Sequence, residues 1–348
     1  MNTDELRRLP ELPALPRPVH FVCKDLGRWP EVVAGEMGPD ELHRQPDRVV
    51  FHEDIGVVQT YVNLAACGLD VSLVADAVPG EVNVVSSIDF RVKDRTAQCF
   101  VVAHRGDWAR PELADVVVTM NRGIARRRHD HYLPHWIQTG LIPRDTTRGT
   151  RVERVVFSGD LVNLDPRFAE PSFAERVARL GMEFVARPYD RSTASSGWHD
   201  CSEVDVMLAI RAIHPTELST KPASKLVNAW AAGTPALLGA EPAFEELRRS
   251  PLDYVSVSGP DDAITALERL RDEPDRYRNM VEHGTQRARE FTDEVIAWKW
   301  FELLAGPVEE QYGRWRSRPR RLRDVMFATR VVRHEAAMKA FKLQQSTR

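Results

Sequence analysis

The sequence predicts two α/β domains, each a parallel sheet wrapped by helices, and three observations carry the prediction. The chain has 348 residues, more than one hydrophobic core usually supports, and about 150 residues per domain is the natural unit. Strand-length apolar runs alternate with helical or turn-rich segments, which is the rhythm of a parallel sheet. That rhythm breaks in a stretch containing Pro134, Gly140, Pro143 and Gly149, then restarts at Val152.

Residues 1 to 17, charged and then proline-rich, read as a mobile leader. Val19–Cys23 follows as the first buried strand, and Val49–Phe51, Val71–Ala75, Val82–Ser86, Cys99–Ala103 and Val116–Met120 as further strands. Pro134–Arg151 reads as a linker, with the boundary near Arg148. The second domain begins with VERVVFSG, a strand running into a Gly turn at Gly159. Strands at Met182–Ala186, Val204–Ile210, Pro235–Leu238 and Tyr254–Val257 are expected there, with helices at Ser172–Leu180, Ser224–Ala232, Pro242–Arg248 and Asp261–Leu270. Beyond Asp275 the chain reads as helical, interrupted at Gly306-Pro307 and Arg318-Pro319. The expected division is 1–148, 149–310 and a C-terminal helical segment, 311–348, packing back on the first domain.

Composition narrows the function classes. With 43% hydrophobic and 28% charged residues the chain is a folded globular protein. A net charge of −3 lacks the basic excess of a general nucleic-acid binder. Cys23, Cys67, Cys99 and Cys201 are far apart and show no zinc-ligand spacing, so they read as reduced thiols and no metal site is expected. The N-terminus has no apolar signal-peptide core and no run of about 18 apolar residues occurs, so a cytoplasmic location is expected.

The most informative segment runs from His214 to Gly239, HPTELSTKPASKLVNAWAAGTPALLG. Ser224 is placed to cap a helix whose apolar positions Leu226, Val227, Trp230 and Ala231 form one buried face, and Gly233 stops it. The N–H groups at such a helix start favour an anion, and Lys221 and Lys225 stand beside them to neutralise a diphosphate.

This block resembles the donor-binding segment of GT-B glycosyltransferases, especially the retaining group, in which a helix of the NAWAAGTPALL type is followed by a strand. The run from EPAFEEL to QRAREF is similar to the rest of that family's C-terminal domain, so the likeness covers Lys221 to about Phe291. Other pieces, YLPHWIQTGLIPRD and WHDCSEVDVMLAIR, are similar to bacterial glycosyltransferase-like proteins. The resemblance implies a GT-B fold: two facing Rossmann-like domains with C-terminal crossover helices, the donor held mainly by the second. It also implies transfer of a sugar from a nucleoside diphosphate, a UDP-sugar being favoured over a GDP-sugar, with no other cofactor. Where the retaining group carries two carboxylates eight residues apart, this sequence has Thr220 and Asn228, and Asn228 is a candidate for hydrogen bonding a ribose. The loop FSGDLVNLD offers Gly159 without Lys or Arg, so Lys221, Lys225 and Arg211 are expected to neutralise the diphosphate. Glu241 and Glu246 read either as a solvated helix start or as ligands of sugar or ribose.

In the first domain, HEDIG is expected at the carboxyl end of a strand, where open α/β sheets place ligands. His52, Glu53 and Asp54 either cap a helix or include an acceptor base. The strand CFVVA leads to His104. A histidine at such a strand end often touches the transferred sugar in the resembled family, and a core histidine is the alternative. The basic run from Arg314 to Arg323 reads as a solvated face, or as a surface for an acidic carrier protein or a membrane. Three functional readings follow: a metal-independent, retaining glycosyltransferase, with inversion through a base near His52–Asp54 as its variant; a nucleotide-sugar-binding module; and a nucleotide-sugar epimerase of the same architecture.

Overall fold

The computed structural model describes residues 3–345, apart from 191 and 193. Eleven strands were found in two sheets among these residues, and every pairing is parallel. The first sheet contains β1 (Val19–Val22), β2 (Val71–Val74), β3 (Val82–Ser86), β4 (Phe100–His104), β5 (Val116–Thr119) and β6 (Asp130–Tyr132), in the order β2-β1-β3-β4-β5-β6. The second contains β7 (Arg154–Ser158), β8 (Glu183–Arg187), β9 (Val206–Ala209), β10 (Ala236–Leu238) and β11 (Val255–Ser256), in the order β11-β10-β9-β7-β8. Strands such as VNVVS and FVVAH are buried along their whole length, as central strands of a sheet covered on both faces must be.

The chain divides into two compact units. One holds the described residues up to Arg8 together with His135–Thr292; the other holds Leu9–Pro134 and the described residues from Asp293 onward. The junction therefore falls at Pro134–His135, ahead of the expected boundary near Arg148. The stretch taken for a linker is core: Ile137 and Leu141 are buried with Val204 and Trp230, and the Arg144 guanidinium binds Asp205 at 2.7 Å. Proline and glycine marked turns here, but the apolar residues between them decide where the segment packs.

Other expectations are corrected in the same way. The proposed leader is ordered, with a short helix at Thr3–Arg7 whose Leu6 is buried in the core of the first-named unit, while Leu12 and Leu15 are also buried. Val49–Phe51 forms no strand and follows a 3-10 turn at Pro46–Arg48. Pro307 does not interrupt its helix: a π-helical turn at Leu304–Val308 absorbs the missing N–H between Asp293–Leu303 and Glu309–Arg316. All four cysteines are buried and unbridged.

Candidate functional site

In the second sheet the strand order reverses between β7 and β9, and the crevice at the carboxyl ends of such a pair is where doubly wound sheets hold ligands. Gly159 directly follows β7, and Arg211 lies two residues beyond β9. The helix Ser224–Ala232 packs beside them, and Glu241 follows β10 as the N-cap of Pro242–Leu247. Four sequence candidates thus meet at one edge of one sheet.

Lys225 links them. Its ammonium donates to the Ser158 carbonyl at the end of β7 and lies 5.3 Å from the centre of the Phe157 ring. Gly159 sits at φ +151, a conformation that favours glycine, and a Cβ there would stand 3.2 Å from Lys225 Nζ, a tight contact. The turn that carries no Lys or Arg in sequence is made basic in space by Lys225. Burial, and then the Arg211 charge, push its amine down to about 7, against the opposing pull of Glu241 and Asp160.

Arg211 pairs with Glu241, and both side chains are almost wholly buried. Burial raises the Glu241 carboxyl, while Arg211 and Lys225 hold it down. One Glu241 oxygen takes the Arg211 hydrogen bond, and the other, Oε1, is buried with no hydrogen-bond partner among the described residues. Such an orphaned acceptor is costly unless a ligand hydroxyl or amide completes it. Lys221 lies 3.5 Å from Glu217, one helical turn before it.

Three other candidates are placed by the structure. Ser224 does not cap the helix: Ala223 occupies that position without a side-chain hydrogen bond, and Ser224 is the first helical residue. The cap residue therefore supplies no side-chain acceptor to the first N–H groups of the helix. Asn228, offered for a ribose, uses its amide oxygen to accept the Gln138 N–H at 3.1 Å, which fixes the misread linker. Glu246 is half-buried within Pro242–Leu247, whereas Glu241 is the one beside Arg211 and Lys225. Gly233 ends the Ser224–Ala232 helix at φ +70, in the left-handed conformation its position demands.

In the unit containing the first sheet, His104 ends β4 and is only 7% exposed. Its ring covers Gly56, where a Cβ would lie 2.4 Å from Nδ1. A strand-end imidazole reaching openly for a sugar is not what this geometry shows. His52, Glu53 and Asp54 lead into the π-helical turn Asp54–Gln59 rather than leaving a strand. Asp54 accepts from the N–H groups of Val50 and Phe51 and from Arg28, and Glu53 accepts from those of Lys24 and Asp25, so both carboxylates bind local backbone. His52 differs: its Nε2 lies 2.7 Å from Asp107 and its side chain is 38% exposed. Asp107 was missed in the sequence, although its place in the HRGDW turn after β4 is a signal that could have found it.

No family model matches the sequence, and no curated protein matches it. Solved structures do. Sucrose-phosphate synthase from Thermosynechococcus elongatus aligns over 86% of this chain and 99% of its own, at 12% identity and a TM-score of 0.51. Anabaena HepE in complex with UDP-glucose aligns over 84% of this chain and 99% of its own, at 10% identity and a TM-score of 0.50. The chain has the GT-B fold. The two parallel sheets, each with its strand-order reversal, are the two Rossmann-like halves of that architecture.

Proposed function

We propose that this GT-B chain is a glycosyltransferase that takes its sugar from a nucleoside diphosphate, a UDP-sugar before a GDP-sugar, at the carboxyl edge of the second sheet. The observation that carries the reading is the group formed by Lys225, Arg211 and Glu241 around Gly159, with an unfilled buried acceptor on Glu241. A diphosphate at the start of the Ser224–Ala232 helix would meet N–H groups that Ala223 leaves without a side-chain cap, and the ammonium groups of Lys225 and Lys221. These same donors stabilise the charge that grows on the leaving diphosphate as the glycosidic bond breaks, so the proposal is metal-independent. Arg211 holds Glu241 in place, and Glu241 Oε1 accepts a hydroxyl of the donor.

Retention by same-face attack remains the first reading, on the resemblance of the donor segment. For inversion, the expected span His52–Asp54 narrows to His52. Asp54 is committed to Val50, Phe51 and Arg28, whereas the His52–Asp107 pair has the orientation of a base held by a carboxylate. The experiment is calorimetric titration with UDP, GDP and their sugars in EDTA. Binding of one nucleotide per chain supports the reading, and no heat with any of them at millimolar concentration removes it.

A further inference from the structure

A cavity of about 970 Å³ lies wholly within the unit of the first sheet, at the carboxyl side of β3 and β4. One wall is the loop after β3, a second is Trp108 beyond β4, and the third is the C-terminal helix Arg320–Gln345. Its volume stands at the upper end of the range of about 300–1,000 Å³ usual for small-molecule sites. The walls are held by internal bonds. Ser87 Oγ donates to the Arg105 carbonyl at 2.6 Å, Asp94 accepts the Arg91 N–H at 2.9 Å, and Trp108 packs on the buried Phe341 with ring centres 5.1 Å apart. Arg330 of the same helix pairs with Asp115, which anchors it to the sheet.

The lining has two characters. Phe90, Trp108 and Met338 present apolar surface, while Arg91, Lys93, Lys339 and Lys342 bring four cations against one carboxylate, Glu335. An ordinary solvated face would mix the signs and would not enclose aromatic walls. We propose that this cavity binds an amphipathic anion: a phosphomonoester whose apolar body lies against Phe90, Trp108 and Met338 and whose head is held by Arg91, Lys93 and Lys342. As a binding site it stands alone; as the seat of the acceptor it rests on the glycosyltransferase reading.

The test is calorimetric titration of the full chain with decyl phosphate below its micelle concentration. Inorganic phosphate and decyltrimethylammonium, which has the same chain and the opposite charge, serve as comparisons. Decyl phosphate is expected to bind at least about tenfold more tightly than either, with affinity falling as salt rises. The double substitution Lys93→Glu and Lys342→Glu, at exposed positions, should weaken it by about tenfold or more, and Met338→Asp should weaken it as well by setting a carboxylate in the apolar wall. No binding, equal binding of the cationic amphiphile, or unchanged affinity in the double variant overturns the proposal. Vesicles containing phosphatidic acid separate the sources: competition with decyl phosphate assigns a membrane lipid phosphate, and its absence assigns a free phosphomonoester. Lys225→Met should leave decyl phosphate binding intact. A chain that binds decyl phosphate and no nucleotide keeps the cavity and loses the donor site, while the opposite result does the reverse.

Discussion

Replacing Lys225 by methionine keeps the apolar stem and removes the charge, and its effect on donor binding should depend on pH in a way few other substitutions would. A charged donor to a diphosphate contributes about 1.5–3 kcal/mol, or roughly ten- to more than a hundredfold in affinity. That amount is fully expressed only while the amine is already protonated, below pH 7. Above pH 7 the native site must take up a proton as the anion binds, so affinity falls by about tenfold, or 1.4 kcal/mol, per pH unit until the pKa of the complex is reached. The assay is titration with UDP-glucose, whose diphosphate has no ionisation in this range, from pH 6 to 9 in buffers of different ionisation enthalpy. Native protein should show falling affinity and proton uptake, and Lys225→Met should show weak affinity without either. Stability gives an independent reading. Because the folded value, about 7, lies below the ordinary 10.5, the unfolded chain binds more protons between those limits, and native stability from this group rises with pH across that window. The variant's stability relative to native is therefore greatest below pH 7. Identical pH profiles in the two proteins would refute the role given to Lys225.

Other substitutions test the remaining parts. Arg211→Met leaves Glu241 buried without its partner and should cost about 3–5 kcal/mol, seen as a lower midpoint in urea, with Glu241→Gln considerably milder. Gly56→Ala drives a methyl into the His104 ring and should destabilise by about 1–3 kcal/mol, in thermal melting, without changing nucleotide affinity. Burial pushes Asp205 up, but Arg148, the Glu153 N–H and Arg144 outweigh it and hold its carboxyl below the ordinary 3.8. Its contribution is thus present above that value and lost as pH falls through the folded pKa, and Asp205→Asn should flatten the acid limb of the stability curve. If inversion operates, His52→Gln and Asp107→Asn should each lower transfer by about a hundredfold while nucleotide affinity holds, measured as kcat against Kd.

Legibility followed local signals. The strands of the second sheet and the helix Ser224–Ala232 were readable because unbroken apolar runs and the Gly233 stop act within a few residues. Lys225 was readable as a cation near a helix start, but its true neighbour, the Ser158 carbonyl, is 67 residues away. The Arg211–Glu241 pair was hidden for the same reason: each residue alone is an ordinary surface charge, and only the meeting of β9 and β10 buries both. Val49–Phe51 misled because two valines and a phenylalanine have strand propensity, whereas the Pro46 carbonyl takes the Val49 N–H and Asp54 draws those of Val50 and Phe51 into a helix start. The stretch from Pro134 to Arg151 misled because turn residues say where the chain bends and nothing about what Ile137 and Leu141 pack against.

The location of the donor site is the central claim, and photoaffinity labelling with 5-azido-UDP-glucose in EDTA, followed by peptide mapping, tests it most directly. Label is expected on peptides between His135 and Thr292, around Gly159, Arg211 or Lys225–Glu241, that excess UDP prevents and Lys225→Met reduces. Label confined to Leu9–Pro134, or label that excess UDP does not displace, would contradict it.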